Sequence, residues 1–163
     1  AGTHARDKDA VVSAMLFAEM VCYAETAGSS VYDRLQGLYE QFGFYCEKTV
    51  SVVYDGLNGM DEMRAIMDKL RVLKLASFAG VPTEALSDLD AGIRYNTDGS
   101  MQGIDLPSSN VVKLHLENGD WVCARPSGTE PKLKIYVSAR RPTEREAADA
   151  ADSYLKEMRL LCK

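Results

Sequence analysis

The chain has 163 residues, 46% of them apolar, which suits one ordinary domain or a small domain plus part of another and excludes a disordered segment. Its formal net charge of −5 counts against a nucleic-acid binder, which would usually be basic, while leaving room for a local anion pocket. No stretch approaches the apolar length needed to span a bilayer, and the opening residues carry no signal pattern. Four cysteines (Cys22, Cys46, Cys123, Cys162) and two histidines (His4, His115) are too scattered for a zinc set. Cys22 and Cys123 sit in apolar patterns and read as small core residues, with reduced thiols as expected of a cytoplasmic protein. The start at Ala1, without an initiator Met and among charged, loop-like residues, suggests a piece of a longer chain.

Along the chain, Asp9 caps a predicted helix that runs to about Thr26 and is apolar most of the way round, as if buried between layers. Gly28 ends it. Ser29 and Ser30 start a second helix, with Val31, Leu35, Leu38, Tyr39 and Phe42 at helical spacing, and Gly43 stops it. Residues 49–54 are rich in β-branched side chains and read as a strand. A turn over 55–59 leads to an amphipathic helix over 60–75, with Met63, Ile66, Met67, Leu70 and Leu73 on one side.

From 76 to 109 the pattern is weak and loop-like, with one strand candidate around 89–95. Residues 111–116 alternate as a strand, and Asn118-Gly119 is a hairpin turn into a strand over 120–124. Residues 132–138 form a further strand, and Pro142 opens a last helix whose stripe includes Ala147, Ala151, Tyr154, Leu155 and Met158. The acidic residues between 144 and 152 read as its exposed face. Two helices followed by strand, helix, strands and helix predict a helical segment (1–46) and an α+β domain (47–163). The domain is an antiparallel sheet with helices packed on one face.

The loop from Arg125 to Pro131 carries the chemistry. Arg125 is a planar cation with five donors, suited to bidentate phosphate contacts. Ser127 and Thr129 add hydroxyls, and Gly128 lets backbone amides approach an anion as a nest. Strand alternation puts Leu133, Ile135 and Val137 on one face and Lys132 and Lys134 on the other, so Lys134 can reach the same anion. From the residues alone, a phosphate grip and a tight Ser-Gly turn beside solvated lysines both remain open.

Arg125-Pro126-Ser127-Gly128-Thr129-Glu130-Pro131-Lys132 resembles the phosphate-binding loop in the fourth domain of phosphoglucomutases and phosphomannomutases. Residues 106–111 and 117–121 resemble the segments before it in the bacterial phosphoglucomutase branch. Residues 2–11 resemble the stretch after that family's sugar-recognition loop, late in its third domain. The resemblance implies that 1–46 are third-domain helices and that 47–163 are the TATA-box-binding-protein-like fourth domain. It implies phosphate contacts from Arg125, Ser127, Gly128, Thr129 and Lys134, with Lys8 near the active-site cleft.

The family's catalytic phosphoserine and Mg²⁺ site lie in its first two domains. Neither the Ser-His loop nor the Asp-x-Asp-x-Asp run occurs here, so this piece alone is expected to be inactive. The implied parent interconverts glucose 1-phosphate and glucose 6-phosphate with Mg²⁺ and glucose 1,6-bisphosphate. Its implied partners are a hexose phosphate and the N-terminal domains of the same chain, with no nucleic acid and no membrane. Phosphomannomutase, phosphopentomutase and a non-catalytic protein-interaction module are the alternatives. Asp88 and Asp90 read as hydrated loop carboxylates rather than metal ligands, His115 as structural and Trp121 as a packing residue. His4 reads as a bystander, and Arg6 is a weaker cleft candidate than Lys8.

Overall fold

The computed structural model describes residues 8–163. The chain divides into two compact units, Ala1–Gly43 and Phe44–Lys163. The boundary expected at 46–47 falls inside a strand that already begins at Phe44. Backbone geometry accounts for this: Gly43 has a φ of 90°, which terminates the preceding helix and releases the chain as extended backbone.

In the first unit, α1 (Ala10–Thr26) starts where the Asp9 side chain accepts a hydrogen bond from the Val12 amide at 3.0 Å. Helix α2 (Val31–Phe42) starts with a capping box, in which the Asp33 amide donates to the Ser30 hydroxyl and the Ser30 amide to the Asp33 carboxylate. Burial of α1 between layers is not found. Only Ala24 is buried, while Val11, Met15, Phe17 and Tyr23 are each more than half exposed. Cys22, expected in a core, is exposed as well. The physical reason is that α1 is apolar all round and, among the described residues of its unit, α2 is the one element that can cover it. No single helix among the described residues is long and apolar enough to cross a membrane; α1 and α2 reach that composition only as a pair, across an 87° bend.

The second unit is α+β. Its strands are β1 (Phe44–Val53), β2 (Ser77–Phe78), β3 (Val81–Asp88), β4 (Ile93–Asn96), β5 (Met101–Gly103), β6 (Val112–Leu116), β7 (Trp121–Pro126) and β8 (Lys132–Arg141). They pair antiparallel in the order β1-β8-β7-β6-β3-β4-β5, with β2 on β3. Helices α3 (Gly59–Arg71) and α4 (Glu144–Leu161) cover one face. Met63, Met67 and Leu70 of α3 and Tyr154, Leu155 and Met158 of α4 meet Leu114, Val122, Leu133, Ile135 and Val137 in one core. Strand alternation leaves the other face polar.

Strands β2, β3 and β5 arise where the sequence reads as loop, and β4 takes up only the end of the strand candidate there. β2, β4 and β5 are short, and β3 carries Pro82 and a run from Ala85 to Asp88 buried on both faces, so neither length nor alternation announces them. The strand expected at 89–95 starts only at Ile93, because the Asp88 carboxylate accepts from the Asp90 amide at 3.0 Å and folds the chain into a turn. Pro142 does not open the last helix. It precedes the N-cap Thr143, whose hydroxyl accepts from the Glu146 amide at 3.3 Å.

A buried ionic cluster ties the β6–β7 turn to α4. The Asp120 carboxylate, with its side chain 1% exposed, accepts from the Tyr154 hydroxyl at 2.6 Å, Arg141 at 2.7 Å and the Arg140 amide at 2.9 Å. A buried carboxylate is tolerated when it is paired and its oxygens are saturated in this way.

Candidate functional site

Strands β7 and β8 pair so that Arg125 stands opposite Lys134 and Pro126 opposite Leu133. Leu133 is fully buried under the helices, so Arg125 and Lys134 rise together from the open face, where both are exposed. Neither makes an ion pair among the described residues. Lys132, by contrast, is engaged by Glu130 at 2.9 Å. The hydrogen bond from Lys132 is the main cause holding the Glu130 carboxyl below its usual range, with the charges of Lys132 and Lys134 adding to it.

The connection between the strands is closed by its own backbone. The Ser127 amide donates to the Lys132 carbonyl at 2.8 Å, and the Lys132 amide to the Glu130 carbonyl at 2.7 Å. From outside, the Tyr54 amide donates to the Pro131 carbonyl at 2.9 Å, which fastens the loop to the end of β1. The Gly128 amide makes no hydrogen bond among the described residues, and the Thr129 amide reaches the Ser127 hydroxyl only at 3.4 Å. A Cβ at Gly128 would meet nothing within 4 Å, and its φ is not left-handed. The loop's own packing therefore does not demand glycine there; its effect is to leave the space beside two available amides open.

The fold thus brings Arg125, Ser127, Gly128, Thr129 and Lys134 into one hairpin. It adds a residue that sequence reading passed over. Ser51 of β1 lies opposite Lys134 on the same open face and is exposed. Only the β1–β8 register, formed between segments far apart in sequence, reveals it. Lys8 belongs to the first unit, where it is exposed with a left-handed φ of 57°. His4 and Arg6 lie outside the described residues.

Other candidates resolve into structural roles. His115 is hydrogen-bonded to the Ser87 hydroxyl at 3.0 Å, and burial, reinforced by Arg94 and Lys113, pushes its pKa down to about 4. Trp121 is half-buried, with the Lys113 ammonium 4.5 Å from its ring centroid. Cys123 is half-buried on the open face between Lys113 and Tyr136 rather than in the core, and burial raises its pKa. Asp88 is not a hydrated loop carboxylate: it is buried and pairs with Arg71 at 3.2 Å. Among the described residues no group of three or more His, Cys, Asp or Glu is placed to hold a metal ion.

Residues 60–156 match the family model of the phosphoglucomutase/phosphomannomutase C-terminal domain. The chain belongs to the phosphoglucomutase/phosphomannomutase family. It is 34% identical over 134 residues to a phosphoglucomutase of Staphylococcus haemolyticus, covering 82% of this chain and 24% of that relative. To a phosphoglucomutase of Staphylococcus aureus (strain USA300) it is 30% identical over 151 residues, covering 92% of this chain and 27% of the relative. The chain thus spans about a quarter of the length of these curated relatives. The crystal structure of pp63/parafusin, a phosphoglucomutase from Paramecium, in its open form, superposes with a TM-score of 0.60 at 15% identity. That match covers 98% of this chain and 28% of the other, and it supports the shared fold. The chain is a C-terminal region of a phosphohexomutase, with the antiparallel open sheet and helices of that region.

Proposed function

We propose that the β7–β8 hairpin grips the phosphate that is not being transferred while a phosphoglucomutase interconverts glucose 1-phosphate and glucose 6-phosphate. The observation that carries this reading is the unpaired cross-strand couple of Arg125 and Lys134 beside the available Gly128 and Thr129 amides. Arg125 takes two phosphate oxygens in its planar fork, Lys134 supplies a point charge, and the amides and the Ser127 and Thr129 hydroxyls complete the shell. Contacts restricted to the phosphate suit a bisphosphorylated intermediate that must turn end for end, because either phosphate fits. Binding energy won there, remote from the reacting carbon, positions the sugar for transfer.

In this reading the catalytic serine and Mg²⁺ belong to other domains of a cytoplasmic parent enzyme. Mg²⁺ there would stabilise charge on the transferring phosphoryl group. The carboxylates described here do not form a ligand set for it, and no step is assigned to it in this chain. The hexose phosphate and the N-terminal domains of the parent are the partners, glucose 1,6-bisphosphate is its activator, and this chain by itself has no turnover. Lys8 is a further candidate residue of the parent's active-site cleft. Phosphomannomutase or phosphopentomutase chemistry would use the same grip, since the hairpin reads phosphate and not the sugar.

The test is a titration of the 163-residue chain with inorganic phosphate and with glucose 6-phosphate, followed by amide NMR. Saturable shifts are expected first at Ser127, Gly128 and Thr129, weaker at high salt, with sulfate competing. Shifts centred on Lys8 with a silent hairpin would overturn the assignment. A coupled mutase assay of the same chain, with Mg²⁺ and glucose 1,6-bisphosphate added, is expected to read zero; turnover surviving contaminant controls would sink the inactive-piece reading.

A further inference from the structure

Strand β1 is a free edge of the sheet: β8 pairs with it on one side, and no described strand pairs with it on the other. The hydrogen-bond parity of this ladder follows from its last rung, where the Tyr54 amide donates to the Pro131 carbonyl at 2.9 Å. Counted in twos from there, Val52, Val50 and Lys48 turn their amides and carbonyls to β8. Glu47, Thr49, Ser51 and Val53 therefore turn theirs outward.

Natural edges are blunted by shortness, a bulge, a proline or an inward-pointing charge. β1 runs ten residues in unbroken register with β8 and contains no proline. Its one charge on the helix-covered face, Lys48, is drawn back onto α4, where Asp152 holds it at 2.6 Å. The edge is open to a further strand.

Beside that edge a groove of about 740 Å³ runs between β1 and α4, within the second unit. Val50, Leu155 and Leu160 give it an apolar side. Lys156, Arg159 and Lys163 also line it, are exposed, and make no ion pair among the described residues. The carboxylate in the lining belongs to Asp152, and Lys48 neutralises it. Three cations beside a row of free main-chain donors and acceptors select an anionic chain that is itself a strand.

We propose that the β1 edge takes an extended acidic segment of a partner protein as an added strand. Alternate residues of the segment exchange main-chain hydrogen bonds with Thr49 and Ser51 and show their side chains on the open face. The residues between them project over the groove, carboxylates towards Lys156 and Arg159 and an apolar side chain against Val50 and Leu155. Main-chain bonding supplies the pairing, and the groove chooses the sequence. A second copy of β1 lacks the required charge: its groove-side residues are Cys46, Lys48, Val50 and Val52, which bring another cation and no carboxylate.

The probe is the peptide acetyl-Thr-Glu-Thr-Val-Thr-Glu-Thr-Glu-Thr-amide, titrated into the 163-residue chain by amide NMR with hydrogen exchange. Saturable shifts and slowed exchange are expected at Glu47, Thr49 and Ser51, with little change at Lys48 and Val50, whose amides already bond β8. Lys156→Gln and Arg159→Gln should each weaken the peptide roughly 1.5- to 5-fold, the size of an exposed ion pair. The peptide with Gln for every Glu should also bind more weakly, and salt should narrow that difference. N-methylation of the threonines removes the amides that face β1 when the glutamates face α4, and it should abolish saturation. Both variants should respond to phosphate at Gly128 as the wild type does, so failure here is distinguishable from failure of the hairpin assignment. Undiminished binding of the N-methylated peptide would overturn the inference, since the groove would then take any polyanion. Equal affinity for the Glu and Gln peptides, or no saturation at millimolar concentration, would overturn it as well. So would exchange at Thr49 and Ser51 that slows with protein concentration alone, which would give the edge to a second copy.

Discussion

Arg125 and Lys134 are direct cross-strand neighbours on the open face of the sheet, two cations that make no ion pair among the described residues, with Glu130 close enough only for its carboxylate to feel the charge of Lys134. Like charges directly opposite one another destabilise a sheet, by roughly 0.2–1 kcal/mol for a pair of this kind. The arrangement is therefore slightly unfavourable when empty and favourable when an anion neutralises it. Lys134→Thr is expected to raise the melting temperature of the chain slightly while weakening phosphate binding. Thermal unfolding with and without phosphate checks this: the wild type should gain more from phosphate than the variant. Equal gains would separate Lys134 from the anion.

Arg125→Ala is expected to act on function with little effect on folding, because the side chain is exposed. In a full-length phosphoglucomutase carrying this hairpin, loss of a charge-assisted bidentate contact worth about 1.5–3 kcal/mol lowers kcat/KM roughly ten- to a hundred-and-fifty-fold. Steady-state kinetics of the substituted enzyme measure it directly. Wild-type values would remove Arg125 from the site.

Gly59 fixes how closely the start of α3 approaches the hairpin. A Cβ there would run into the Tyr54 carbonyl oxygen and come within 3.1 Å of Pro131 Cβ. The first obstacle is backbone and cannot turn aside, and Tyr54 also holds the loop through the Pro131 carbonyl. Gly59→Ala should cost about 1–3 kcal/mol of stability, as overpacking does, and should broaden the amide signals of 127–130. Urea denaturation gives the first quantity and NMR the second. An unchanged hairpin spectrum would show that the loop does not depend on this anchor.

Asp120 illustrates the cost of breaking a buried ion pair from one side. Asp120→Ala leaves Arg141 and the Tyr154 hydroxyl without their acceptor in a site 1% exposed at the carboxylate, and about 3–5 kcal/mol should be lost. Asp120→Asn retains the shape and one acceptor and should lose less. The two unfolding midpoints order the effects; a loss for Asp120→Asn as large as that for Asp120→Ala would mean that the charge alone, not the retained shape and acceptor, governs the cluster.

His115 predicts a pH dependence whose sign follows from burial. Its folded pKa lies at about 4, below the ordinary 6.5. Above 6.5 both folded and unfolded chains hold it neutral. As pH falls from there towards 4, the unfolded chain binds a proton that the native state refuses, so stability declines through that window. His115→Gln should flatten this decline. Denaturant melts at several pH values compare the slopes, and identical slopes would mean that His115 titrates alike in both states.

Local signals in the sequence determined a good part of this molecule. Caps at Asp9 and Ser30, stops at Gly28 and Gly43, the Asn118-Gly119 turn and the apolar stripes of α3 and α4 act over a few residues. They can be read without knowing what lies across the core. The Arg125–Pro131 loop is legible for the same reason: its donors are contiguous in the chain. Pairing over distance decided the rest. Strands β2 to β5 are short or buried on both faces and become strands only because β6 lends β3 its hydrogen bonds. Ser51 joins Lys134, and Thr83 turns to the helix-covered face, through registers that no local pattern encodes. Helix α1 marks the converse limit. Its all-round apolar pattern called for burial, but burial depends on a covering surface, and that is a property of the partners rather than of the segment.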